Sequence, residues 1–168
     1  MLDERYNRGG QIADYYIDIL RRPPIAHWKM RYGEDLVSPR GAIQGPKVLL
    51  ADENAGSGGD LLPWMFKHFE LGPIVGKRTW GGLVGILGYP KLMDGGAVTA
   101  PNIAFWTEQG FGVENEGVAP DVDVEQWPRE VNAGRDPQLD RAIEIALSAL
   151  AKNPPTALKT PPLPVRVK

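Results

Sequence analysis

Apolar and polar positions along this chain fall into short blocks that alternate between strand-like and helix-like patterns. In "QIADYYIDILRR" the apolar Ile12, Tyr15, Tyr16, Ile19 and Leu20 recur at helical spacing ahead of Pro23 and Pro24, which predicts a helix from about Gln11 to Arg21. The residues before it, "MLDERYNRGG", read as a strand end and a glycine turn. "IAHWKMRY" alternates as a strand does, and Pro39, Gly41, Gly45 and Pro46 mark the loop that follows. "KVLLADE" is a continuous apolar run of the kind buried on both faces of a sheet; "GGDLLPWMFKHFEL" then reads as a helix, with Pro63 tolerable only in its opening turns. "PIVGKRT" predicts another strand, and "AVTAPNIAFWT" two apolar segments divided by Pro101. The last helix is "DPQLDRAIEIALSALAK", with Asp136 as cap, Pro137 at the first helical position, and Leu139, Ile143, Ala146, Leu147 and Leu150 on one face.

Alternating strands and helices predict an α/β domain with several parallel strands, spanning residues 1–153. Residues 154–168 are rich in proline, lack a core-forming period, and read as an extended tail. Composition narrows the partners. A chain of 168 residues with 42% hydrophobic content suits one globular domain, and 19 Lys+Arg against 21 Asp+Glu give no electrostatic case for nucleic acid or an anionic membrane. The absence of cysteine excludes a disulfide scaffold, a thiol nucleophile and a thiolate zinc site. No apolar run reaches the length of a membrane span, and the charged start (Asp3, Glu4, Arg5) precedes no apolar signal segment, so the default compartment is cytoplasmic.

The candidate chemistry lies in "ENAGSGGD", where a serine sits among glycines between a strand and a helix. A hydroxyl becomes a nucleophile when it projects from a sharp turn, meets a base, and faces backbone N–H groups able to stabilise an oxyanion. Gly56, Gly58 and Gly59 would allow that close approach, and the N–H of Gly58, next after Ser57, is a natural donor. Ser57 followed by Asp60 is also an ordinary helix start, an N-cap with an acidic residue three positions on. A phosphate-binding loop is disfavoured, because no Lys-Ser/Thr pair follows "GSGGD" and the dinucleotide spacing is absent. Trp64, Phe66 and Phe69 have helical spacing and read as core; Trp28, Trp80, Trp106 and Trp127 could line a groove, with buried packing the default for each.

Four segments occur in an order that resembles the S41 family of serine peptidases, in its tricorn-like branch: "DERYNRGG", "ENAGSGGD", "VGKRTWGGLVG" and "VENEGVAPDVDVE". The resemblance runs from about Asp3 to the last helix. It implies a crotonase-like (ClpP/crotonase-type) α/β core with mixed, partly parallel strands and flanking helices. It further implies hydrolysis of peptide bonds through an acyl-enzyme on Ser57, no metal or organic cofactor, and a homo-oligomeric assembly. By the same resemblance Gly58 and Gly10, with Gly9 the alternative to Gly10, supply the oxyanion hole. The acid that orients the base falls at Glu114, with Glu116 second. One branch of the family takes its base from a lysine in a "T-aromatic-G-K-G" segment; here the stretch is "TWGGL", Gly82 stands at the lysine position, and Lys77 comes five residues too early.

The tricorn-like branch uses a histidine, backed by a serine and a glutamate. His68 lies about three turns along its predicted helix, roughly 16 Å from Ser57, too far for proton transfer. His27 lies in a strand-like segment that does not match the family's histidine motif. The expectation is therefore the C-terminal catalytic portion of a longer peptidase, with the histidine and its partner serine upstream of Met1. The competing expectation is a noncatalytic peptide-binding or oligomerisation module on the same fold.

Overall fold

The computed structural model describes residues 1–155 and 159–165; within the tail, 156–158 and 166–168 lie outside the described residues. Leu2–Asp3 (β1) leads through a glycine turn to the helix Ala13–Arg21 (α1). Ala26–Trp28 (β2) and Leu36–Ser38 (β3) form a small antiparallel ribbon. Leu49–Ala51 (β4), the helix Gly58–His68 (α2) and Ile74–Gly76 (β5) make a β-α-β unit with β4 and β5 parallel. A long excursion carries Trp106–Thr107 (β6) and Gly110–Phe111 (β7), another antiparallel pair. Val122–Asp123 (β8), the short helix Pro128–Asn132 (α3) and the helix Pro137–Lys152 (α4) complete the order.

The central sheet has the order β1-β4-β5-β8, every neighbouring pair parallel. Its middle strands carry the apolar runs of the sequence because both of their faces are covered. Leu49, Ala51 and Ile74 meet Ala13, Ile17, Leu62 and Phe66 of α1 and α2, whereas Val48, Leu50 and Val75 meet Ala142 of α4. Alternation along β4 thus feeds two separate apolar layers. The N-terminal strand is fastened to the far helix by charge: Arg5 bonds Asp136 through Nη1 and Nη2 at 2.9 and 2.8 Å, while Asp136 caps α4 at the Leu139 N–H. The Arg5 hydrogen bond holds the Asp136 carboxyl down at about 2.

Several expectations need correction. α1 buries Ala13 and Ile17, while Ile12, Tyr15, Tyr16 and Ile19 are exposed and Leu20 only borders the core. α4 buries Gln138 and Ala142, with Leu139, Ile145 and Ala146 against the same layer; Ile143, Leu147 and Leu150 face outward. Ala142 is fully buried in one layer with Val48, Leu50 and Val75, so the contact stripe does not follow the bulkiest residues. Trp28, Trp80, Trp106 and Trp127 are all more than half exposed, against their expected burial, while Phe66 is buried with Trp64 and Phe69 beside it as expected. "IAHWKMRY" keeps only a three-residue strand, and the helix expected through Leu71 ends at His68. The apolar segments around Pro101 make one two-residue strand and isolated bridges at Ile103 and Ala97. Among the described residues no helix is long and apolar enough to cross a membrane.

Candidate active site

Three loops leave the carboxyl ends of adjacent parallel strands and converge, the place where open α/β sheets present ligand sites. They are Glu4–Gly10 after β1, Asp52–Ser57 after β4 and Lys77–Gly82 after β5. Backbone hydrogen bonds tie them together: Gly56 N–H to the Asn7 carbonyl at 2.9 Å, and Trp80 N–H to the Ala55 carbonyl at 2.8 Å. Ser57 sits at the join of loop and α2 with φ 58° and ψ −114°, a conformation that costs a non-glycine residue about 1–3 kcal/mol and persists only where the surroundings enforce it.

The enforcing group is Asp60, fully buried in the first turn of α2. Its carboxylate accepts the Ser57 N–H at 2.8 Å, the Gly81 N–H at 2.8 Å and the Gly82 N–H at 3.0 Å, together with the Thr79 hydroxyl. The capping-box reading of Ser57 and Asp60 holds on the carboxylate's side, and the Asp60 N–H goes to the Ser57 carbonyl at 2.9 Å. Ser57 lines the cavity described below, so its side chain is available to a substrate. The sequence signalled one of Asp60's four bonds; the rest come from residues 19–22 positions away, which no local spacing reveals.

Gly58 and Gly10 face each other closely. A Cβ on Gly58 would lie 2.2 Å from the Gly10 carbonyl oxygen and 3.0 Å from the Gly10 nitrogen, so only glycine fits. Among the described residues neither the Gly10 nor the Gly58 N–H has an acceptor, and the latter is a first-turn helix donor with none available within its helix. The Gly9 N–H is already committed to the Asn7 side-chain oxygen at 3.1 Å. A Cβ on Gly9 would stand 2.8 Å from the Ser57 Cβ, so that position too admits no side chain.

Ser57, Gly10, Gly58 and Glu114 line one open cavity of about 780 Å³, with Arg8 at its rim and a wall of Trp80, Leu83, Ile86, Ile103 and Phe105. Glu114 is partly buried, and its Oε2 accepts the Leu83 and Val84 N–H groups, each at 2.7 Å. Its flanking residues Val113 and Asn115 have φ of 71° and 63°, so two strained positions hold this carboxylate at the cavity. Glu116 is exposed and does not line it. Gly82 lies beneath the Trp80 ring, 2.3 Å from where its Cβ would be. Lys77 pairs with Asp123 at 2.8 Å and Glu125 at 3.2 Å, the surface arrangement expected of it.

Neither histidine reaches the cavity. His27 is exposed on β2 opposite Val37, and His68 stacks on Trp64 near the end of α2 with ring centroids 5.0 Å apart. Among the described residues no group of three His, Cys, Asp or Glu could hold a metal ion.

The family model for peptidase family S41 matches residues 1–124. This chain belongs to peptidase family S41. Among its S41 relatives, tricorn protease homolog 1 of Streptomyces coelicolor is 46% identical over 164 residues, which cover 96% of this chain and 15% of that protein. Tricorn protease of Thermoplasma acidophilum is 40% identical over 151 residues, 89% of this chain and 14% of that one. A crystal structure of the tricorn protease superposes with a TM-score of 0.84 at 39% identity, covering 89% of this chain and 15% of the other. The S41 chain thus spans about one seventh of the length of these curated relatives.

Proposed function

We propose that this S41 chain is the nucleophile-bearing part of a serine peptidase with a crotonase-like core, residues 1–153, acting on peptides or proteins. The observation that carries the reading is the Ser57 turn: a positive-φ serine between a strand and a helix, beside two glycine amides without acceptors among the described residues, on a cavity that also holds Glu114.

In this reading the Ser57 Oγ attacks the carbonyl carbon of the scissile peptide, and its proton passes to a histidine nitrogen. The oxyanion receives the Gly58 and Gly10 N–H groups, which stabilise charge that develops only in the transition state. The imidazolium returns its proton to the leaving amine, leaving an acyl group on Ser57 that water removes by the same steps. Glu114 has Oε2 tied to two amides, so Oε1 is the oxygen that would accept the imidazole's second N–H and set the ring's tautomer. With His27 and His68 absent from the cavity lining, the reading assigns that histidine, and its partner serine, to sequence outside these 168 residues. Homo-oligomeric assembly is part of the same proposal.

The test is intact mass after a serine-directed fluorophosphonate, on this chain and on the full-length protein, with Ser57→Ala as control. Fast labelling of the full-length protein, lost in the control, is the expected result. Equal labelling of wild type and control would return Ser57 to a helix start and favour the noncatalytic peptide-binding module.

A further inference from the structure

Beneath the glycine turn lies an acid that the reaction above does not use. Glu4, directly after β1, is 5% exposed, and its Oε1 has no hydrogen-bond partner among the described residues. Its Oε2 accepts one hydrogen bond, from the Asn7 side-chain N–H at 3.3 Å. Asn7 in turn touches both turns of the site. Its side-chain oxygen accepts the Gly9 N–H at 3.1 Å, and its carbonyl accepts the Gly56 N–H at 2.9 Å. That carbonyl lies so close to Gly59 that a Cβ there would come within 2.1 Å. A single asparagine therefore fixes the spacing of the Gly9–Gly10 turn from the Ser57 turn, and Glu4 is the group that fixes the asparagine's amide plane.

We propose that Glu4 is a positioning residue which, through Asn7, aims the Gly10 N–H at the reacting carbonyl oxygen. The inference rests on the peptidase reading above. A buried carboxylate with one donor would be an uncompensated charge, whereas the neutral acid is tolerated there. Burial, reinforced by the negative charges of Asp60, Asp52 and Asp3, pushes Glu4 up to about 9. Asn7 is the polar neighbour that opposes this rise. Glu4 is thus protonated at neutral pH, and its Oε2 still accepts from Asn7. Above pH 9 it becomes an anion facing three other carboxylates, and the turn it supports shifts.

The experiment compares wild type, Glu4→Gln and Glu4→Leu in the full-length protein, measuring kcat and KM on a peptide substrate across pH, with thermal unfolding recorded for each. Glu4→Gln keeps the acceptor and the volume without the ionisation. It is expected to retain kcat at pH 7.5 (~1-fold change) and to lose the fall in kcat/KM that the wild type shows near pH 9. Glu4→Leu keeps the volume without the acceptor, and kcat should drop about 10-fold or more with KM nearly unchanged, the split expected when an oxyanion donor is misplaced. A folded Glu4→Leu protein with wild-type kcat overturns the proposal, as does an alkaline fall that persists in Glu4→Gln. Should Glu4→Leu fail to fold, the Glu4→Gln pH profile alone decides. A wild type with no Ser57-dependent turnover overturns the peptidase reading itself, which separates that failure from this one.

Discussion

The cavity has a floor and a wall built on opposite terms. Its floor comes from three loops at the ends of adjacent parallel strands, locked by hydrogen bonds to the buried Asp60 and the part-buried Asn7, with Leu49, Phe66 and Ile74 wholly buried beneath. Its wall comes from the excursion between β5 and β8, where Ile86, Leu87 and Ile103 are about half exposed and Met93 is completely so. Paired polar groups hold the floor; exposed apolar side chains form the wall. The contrast separates two kinds of support: atoms needing placement within tenths of an ångström sit on hydrogen-bonded networks, and the surface that would meet a peptide in the proposed reading sits on sparsely packed chain.

Substitutions can break or sharpen this contrast. The largest effect is expected at the floor's surface, where Ser57→Ala should lower kcat/KM of the full-length protein by about 10⁴-fold or more while peptide binding persists, checked by steady-state kinetics beside a binding titration. Glu114→Gln should follow with a loss of about 10²–10⁴-fold in kcat, since the imidazole would lose its orienting charge. Below the floor, Phe66→Ala should cost about 3–5 kcal/mol in a denaturant titration, the range for a fully buried aromatic.

Arg5→Ala is expected to cost about 1–2 kcal/mol at pH 7, allowing for solvent screening at the partly exposed Asp136. Because Asp136 is held below its usual range, the stability it gains from Arg5 is present above about pH 4 and lost as pH falls through 2. Denaturation curves of wild type and variant should therefore converge in strong acid. In the excursion that carries the wall, Met93→Ser should change stability by no more than about 0.5 kcal/mol. A larger change at Met93 than at Phe66 would dissolve the distinction between floor and wall.

The same distinction explains what the sequence revealed. The buried triplets "LLA" and "IVG" were legible as central strands, and the segments that bring Ser57, Gly58, Gly10 and Glu114 to one cavity were legible from their order along the chain. Gly10 and Gly9, like Glu114 and Glu116, differ in features that no local pattern carries: the Gly9 N–H is already bonded, and Glu114 but not Glu116 lines the cavity. Helix faces failed where the apolar residues that set the period were not the ones the core receives. On α4 the sheet selects Ala142 and Gln138 by shape, leaving Leu147 outside. Nothing in their own neighbourhood marked Glu4 and Asp60 as buried, because burial created by distant residues leaves no trace there.

Trp80 adds an optical consequence to its place between Gly56 and Gly82. Its indole covers both glycines, borders the cavity, and is still 70% exposed, so an arriving peptide would exchange water for apolar contact directly on the chromophore. The protein carries its own fluorescent gauge of occupancy: a blue-shift on binding that disappears in Trp80→Phe would let the filling of the site be timed without labelling either partner.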